Sequence, residues 1–343
     1  MRLENLQLIL ILILAASSLA QAQPRVGLVE IYGAKKATAE KIRKTIGLSP
    51  GDAIPKSKTD LEDQIAEVGG VVKASVSAVC CEEGKAILFV GVQERGAEGF
   101  EFRDEPTGTA ELPPEIVSAF YDFRQAMMEA VKKGEAAEDI SKGHSLMQNY
   151  TARQAQERFI GLAELHPSKL EEVIKESADP EQRAIAAVVL GYFPKKRLVV
   201  DTLQLAMRDP DEGVRNNAMR SLTAIAALAE KDPEQEIRVQ PTWFIEMLRS
   251  VVWTDRSKAS SALVNMTEKR DAKLLERIKE RAVPELVEMA RWKSLPHALP
   301  CYILLGRVAG IDEQRLRDEW GAGQREKIIN EVADSLLGKK KKP

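Results

Sequence analysis

The spacing of apolar residues changes along the chain and divides it in two. From Val26 to Tyr32 they cluster at Val26, Leu28 and Ile31, which predicts a strand ended by Gly33. Thr38 is placed to cap a helix carrying Ile42 and Ile46 on one side. After the turn-rich Gly47–Asp52, residues Leu61, Ile65 and Val68 mark a second helix, stopped by Gly69 and Gly70. Val71 to Val79 alternates, with Val72, Ala74, Val76 and Ala78 on one side. Glu82 to Lys85 turns the chain, and Ala86 to Val92 returns as a continuous apolar strand. The predicted order is β-α-α-β-β.

Glu94 to Pro114 is rich in Gly, Pro and charge and predicts a linker, with a short extended piece at Phe100–Phe102. Beyond it the apolar period becomes helical and no strand is predicted. Ile116, Phe120, Phe123, Met127 and Val131 form a stripe read as core, although paired Met127 and Met128 would also suit an adaptable binding face. Gly134 to His144 is polar and predicts a loop. Arg158–Leu165 and Leu170–Ile174 predict helices separated by Pro167.

The clearest single helix begins near Asp209. Asp209 is read as its N-cap, Pro210 as its first position and Glu212 as the partner of a capping box. Val214, Ala218, Leu222 and Ile225 then share one face. The pattern Arg-x-x-Ala-x-x-x-Leu recurs at Arg183/Ala186/Leu190, Arg215/Ala218/Leu222 and Arg256/Ala259/Leu263, in steps of 32 and 41 residues. His297/Pro300/Leu304 keeps only the leucine, and Pro300 predicts a late or kinked helix. Asp179-Pro180 and Asp209-Pro210 open two copies, while Asp232-Pro233 reads as a short insert. Ile328 to Leu337 predicts a final amphipathic helix. Helix pairs at such periods cannot bury their apolar faces alone and must stack.

Two resemblances follow from these residues. The strand ending Ile31-Tyr32-Gly33, the turn Leu48–Asp52, the Gly69–Val72 step and the strand running into Val92-Gln93-Glu94 resemble a POTRA domain over about residues 25–95. That resemblance implies a periplasmic module binding a partner segment by strand addition at a sheet edge. Residues 178–228 resemble HEAT repeats of the armadillo-type fold. The family's ladder implies structural, repeat-to-repeat roles for Asp179, Arg183, Asp209 and Arg215, and close helix approach at Ala186, Ala218 and Ala259. The expected fold class is α+β: a small β-α-α-β-β POTRA-like domain followed by an all-α HEAT-like helical solenoid. The boundaries are a signal peptide at 1–22, the α/β domain at 23–95, a linker at 96–114, helical repeats at 115–337 and a basic tail at 338–343.

The N-terminus refines this. Leu6 to Ala16 is apolar for about 11 residues, short of the roughly 20 of a bilayer span, and Ala20-Gln21-Ala22 fits signal-peptidase cleavage. The expected location is periplasmic or secreted after cleavage near Ala22; an uncleaved anchor is the alternative. Composition adds limits. Apolar residues make up 44% of the chain and charged residues 30%, as in ordinary globular domains, while a net charge of -2 gives no basic field for nucleic acid. Lys339–Lys342 reads as a solvated tail, with contact to an anionic membrane as the alternative. Cys80, Cys81 and Cys301 lack metal-ligand spacing. They read as structural or free thiols: neighbours such as Cys80 and Cys81 rarely bridge each other, and a bridge to Cys301 is without support.

No catalytic, cofactor-binding or metal residue is assigned, and no cofactor is expected. His144, His166 and His297 are not at ligand spacing, and Gly143-His144-Ser145 lacks a nucleophile elbow. The expected function is an exported, non-enzymatic scaffold of the cell envelope that binds a peptide or protein partner. The alternatives are a membrane-anchored accessory factor of envelope protein assembly, and an enzyme of unknown type using the Gly143–Asn149 region or the linker.

Overall fold

The computed structural model describes residues 24–82 and 84–338. The signal-peptide segment and the Lys339–Lys342 tail lie outside the described residues, as does the side chain of Cys81.

The chain opens with β1 (Val26–Tyr32), α1 (Lys36–Ile46), α2 (Lys58–Ala66), β2 (Val71–Glu82) and β3 (Lys85–Glu94), the expected order. The sheet runs β1-β3-β2, with β1 parallel and β2 antiparallel to the central β3. β3 is apolar from Ala86 to Val92 because both faces of the sheet are covered. On one face Val26, Val29, Val76, Leu88 and Val90 pack with Ile42 of α1 and Leu61 and Ile65 of α2. On the other, Tyr32, Ile87 and Phe89 join the core of the helical body. Double coverage changes the reading of β2: Val72 is 52% exposed and Ala78 is exposed, while Ser75 is buried. Thr38 does not cap α1, which starts earlier with Lys35 at the cap position. Cys80 takes part in a disulfide, which corrects its reading as a structural or free thiol, whereas Cys301 is a free buried thiol.

The helices follow: α3 (Pro114–Lys132), α4 (Tyr150–Leu165), α5 (Pro167–Glu176), α6 (Pro180–Leu190), α7 (Val200–Ala206), α8 (Glu212–Lys231), α9 (Thr242–Met247), α10 (Trp253–Met266), α11 (Ala272–Ala290), α12 (Leu295–Val308), α13 (Glu313–Gly321) and α14 (Arg325–Leu336). Side-chain caps start several of them, including Asn149 on Ala152 N, Asp179 on Glu181 N and Asp271 on Leu274 N. From α5 onward the helices pair as α5/α6, α7/α8, α9/α10, α11/α12 and α13/α14. The second members touch in sequence, so α6, α8, α10, α12 and α14 form one continuous row. The repeated Arg, Ala and Leu positions all face inward: Ala186, Ala218, Ala259, Leu190, Leu222 and Leu263 are fully buried. Asp232-Pro233 opens only a short helical turn at Pro233–Gln235.

Three expectations are corrected. The polar stretch after α3 holds a minimal hairpin, β4 (Glu138–Asp139) with β5 (Leu146–Met147), too short for an alternating pattern to reveal. α12 does not start late: it begins at Leu295, with Pro296 in its first turn, and continues through Pro300. Asp209 is not the cap of α8. Asp211 is, accepting from Val214 N at 3.0 Å.

Asp209 has a different role. Its carboxylate is wholly buried and takes both Nε and Nη2 of Arg183, at 2.9 and 2.8 Å. Arg103 from the 96–114 segment adds a third contact at 2.5 Å. Arg183 also gives Nη1 to Ser177 O, Arg215 gives Nη1 to Asp209 O, and Arg256 gives Nε to Ser250 O. Each arginine thus closes the turn six residues before it. The ladder expected of Asp179, Arg183, Asp209 and Arg215 is present for Arg183–Asp209 only. Arg215 pairs instead with Asp255 at 3.0 Å, and Asp179 serves only as a helix cap. From Asp255 the chain of contacts continues through Ser250 and Arg256 to Glu288, whose other oxygen accepts from Gly33 N at 2.8 Å. A buried polar spine therefore joins the helical row to the sheet.

The 96–114 segment is extended and held along this spine. Arg103 N bonds Arg208 O, and Gly108 exchanges backbone bonds with Glu176 and Ala178. Phe102 lies between two cations, Arg215 and Lys73, each 4.3 Å from its ring centroid. Gly108 must be glycine here, because a Cβ would sit 2.5 Å from Glu176 O.

Candidate functional site

The repeated helices leave one face of α6 and α8 uncovered by a second layer, and α3 lies alongside it. α3 offers Phe120, Phe123, Arg124 and Met127 at helical spacing. α6 offers Glu181, Ile185 and Val188, and α8 offers Asn216, Asn217 and Arg220. Together they surround a cavity of about 350 Å³. The stripe expected to be core on α3 divides: Ile116 and Phe123 are buried, Phe120 and Met127 are half-buried at the cavity, and Val131 is 55% exposed. The helix spacing was legible, but the neighbour that leaves part of the stripe open was not.

Close packing of α6 and α8 shapes the floor. Asn217 Nδ2 donates to Ala184 O at 3.0 Å and Ser221 Oγ to Ala187 O at 3.1 Å. Gly191 ends α6 where any Cβ would meet Ser221 Oγ at 2.3 Å.

The β4–β5 hairpin forms one wall. Glu138 pairs with Arg220 of α8, and the Ser145 carbonyl accepts from the buried Tyr192 hydroxyl at 2.6 Å. Gly143 has φ +75 and would place a Cβ 2.7 Å from Leu228, so the hairpin closes onto α8 only with glycine there. Gln156 Oε1 accepts from Met147 N at 2.6 Å. Its Nε2 approaches the Tyr192 oxygen without reaching hydrogen-bond geometry.

The loop histidine and serine do not act together. His144 Nδ1 faces Lys196 Nζ at 3.4 Å, whereas Ser145 Oγ lies 3.5 Å from Arg220 Nη2. Burial, helped by Lys196 and Lys142, pushes His144 down to about 4. Burial also pushes Lys196 down to about 7; it is 2% exposed and bonds Gly191 O at 2.6 Å. His144 and Ser145 therefore share no hydrogen bond that would activate a nucleophile. The other histidines lie apart: His166 sits between α4 and α5, and His297 stands edge-on to Phe89 and Trp253. Among the described residues no cluster of His, Cys, Asp or Glu could hold a metal ion, and no helix is long and apolar enough to cross a membrane.

These depressed values carry a sign. The folded chain keeps His144 neutral, and the unfolded chain binds its proton near the ordinary 6.5. The stabilisation is therefore present above pH 6.5 and lost as pH falls toward about 4. Wild-type protein should lose more of its thermal midpoint between pH 7 and pH 4.5 than His144→Leu does. Equal losses in a melting series across that range would mean that His144 is not held neutral.

A second cavity, of about 780 Å³, opens between the C-terminal ends of α8 and α10 and the Ile237–Pro241 segment. Its walls include Ala226, Ala229, Val239, Met266 and Leu274.

The sequence points to none of this wall chemistry directly, because residues at 120, 144, 156, 185 and 220 meet only through the fold. Gly143 and Gly191 were the available signals, and each required knowledge of the opposing helix. Comparison with known proteins assigns no family: no family model matches the chain, and no curated protein matches it.

Proposed function

We propose that the protein is a non-catalytic scaffold of the cell envelope that holds a peptide or protein partner in the groove between α3, α6 and α8. In this reading the N-terminal unit is POTRA-like and the paired helices are a HEAT-like solenoid. The observation that carries it is the composition of the groove. Half-exposed Phe120 and Met127 form an apolar floor, and Asn216, Asn217, Arg124 and Arg220 rim it with polar groups suited to a peptide backbone.

The groove is favoured over the sheet edges. Val76 N on β2 is already taken by Glu62 Oε1 at 2.6 Å. On β1, Val26 exchanges backbone bonds with Gly51 and Asp52. Strand addition would have to displace both.

A photo-crosslinking residue at Asn216 should capture a defined partner in native envelopes, whereas the same residue at exposed Lys175 on α5 should not. Identical adducts from the two positions, or none from Asn216, would remove the groove as the partner site.

A further inference from the structure

We propose that the cavity between α3, α6 and α8 receives the C-terminal residue of the partner chain, its apolar side chain on Phe120 and Met127 and its carboxylate on the donors beside the hairpin. The inference rests on the groove being the partner site and adds what the groove recognises.

The cavity wall is short of acceptors. Gln156 is fully buried, and its Nε2 has only the Tyr192 oxygen nearby, outside hydrogen-bond geometry. His144 Nε2 is likewise buried and without a partner. When Lys196 is charged it has only hydrogens to offer His144 Nδ1, and in that state the imidazole proton resides on Nε2. Both atoms are then donors that call for an oxygen.

The cations point the same way. Arg220 makes both its contacts, to Glu138 and Ser145, through Nη2. Lys258 is solvent-accessible yet packed among protein atoms, and desolvation and the neighbouring Arg220 hold its ammonium below its usual value. Arg220 is depressed by desolvation as well. Both cations are made less stable by desolvation, and Lys258 also by Arg220, and a bound anion relieves them. Arg124 joins Arg220 as a positive group lining the cavity. On the negative side, Glu138 is committed to Arg220 and Glu181 accepts from the Tyr121 hydroxyl at 2.7 Å.

A chain terminus fits better than an internal acidic residue. The hairpin crosses from the end of α3 to α8, fixed by Glu138–Arg220 and by the approach of Gly143 to Leu228. A segment running along the groove meets this wall and must stop. A terminal residue carries an apolar side chain and a carboxylate on one Cα, matching a floor of Phe120 and Met127 beside Gln156, His144 and Arg220. The volume of about 350 Å³ accommodates a large residue and part of its neighbour.

The test uses full-length mature protein and fluorescein-labelled hexapeptides ending in Phe, Leu, Met or Val. Each is made as the free acid and as the carboxamide, with a third set carrying an internal Glu and an amidated end. At least one free acid should bind tenfold or more tightly than its amide. Arg220→Gln should abolish that preference, so that each free acid binds no more tightly than its own amide. Arg124→Gln, on the exposed rim, should lower the preference severalfold and keeps the test decisive if Arg220→Gln loosens the hairpin. Equal binding of acid and amide overturns terminal recognition and leaves the groove as a general peptide site. Equal binding of the internal-Glu amides assigns the anion to a side chain and also overturns it. If no peptide binds while Asn216 crosslinks a partner, the inference fails and the groove reading stands; if neither occurs, both fall.

Discussion

Asp209→Ala is expected to destabilise the protein by about 3–5 kcal/mol, the cost of removing one partner from a buried ion pair. A simple helix cap would cost about 1 kcal/mol. The difference arises because the carboxylate is wholly buried and holds Arg183 through two bonds and Arg103 through a third. Without it the Arg183 guanidinium, itself 0% exposed, keeps only the carbonyls of Ser177 and Ala178. Asp209→Asn preserves the shape and one acceptor oxygen and should fall between wild type and alanine. A double-mutant cycle with Arg183→Met, read by denaturant unfolding, should show the two losses to be strongly non-additive. A loss below about 1 kcal/mol for Asp209→Ala would mean that the contact is not formed in solution.

Phe89→Ala should cost about 3–5 kcal/mol, as truncation of a buried aromatic does. It should also free the sheet from the helices. Phe89 lies on the central strand with no exposed area, 5.2 Å from Trp253, 5.1 Å from Trp292 and 5.4 Å from His297 between ring centroids. Nearby, the Tyr32 hydroxyl donates to Val251 O at 2.7 Å, and Arg256 lies over the Tyr32 ring. Gly91 admits the helical body so closely that a Cβ would stand 1.9 Å from Val251 O. Loss of the Phe89 ring should wet Trp253 and Trp292 and shift tryptophan emission to the red. Leu88→Ala, whose side chain faces α1 and α2 instead, should destabilise the sheet without that shift. Unchanged emission from Phe89→Ala would argue against a joint core.

The order of elements could be read locally. Strand alternation, turn glycines and three-and-four spacing follow from backbone geometry within a few residues. The inward faces of α6, α8 and α10 were legible for the same reason, since Ala218 and Leu222 lie one helical turn apart. The charges were harder. Asp209-Pro210-Asp211-Glu212 contains two acids that could cap α8, and local pattern alone does not choose between them. Burial chooses: Asp209 is drawn inward by Arg183 and Arg103, leaving Asp211 to cap. Asp255 carries no Asp-Pro signature, yet it is the partner of Arg215, 40 positions earlier.

The candidate site was less legible still. Gly143, His144 and Ser145 could be judged only as a motif, and they lacked one. Their surroundings come from Lys196, Tyr192 and Arg220, brought together when α6 and α8 pack. Phe120 and Met127 have the spacing of core residues, and their half-exposure depends on what fails to cover them.

By itself the sequence determined the mixed class, with a small three-stranded α/β unit followed by helices repeating an inward Arg, Ala and Leu. These are properties of neighbours along the chain, governed by periodicity, caps and turns. Only the tertiary structure decided which acid each arginine takes, where the 96–114 segment lies, and how the sheet docks through residues as far apart as Tyr32 and Val251, separated by 219 positions. Buried charges and aromatic rings accept many partners of similar chemistry. The choice among them is made by the packing of the whole chain, where an unpaired group costs more than any local preference supplies.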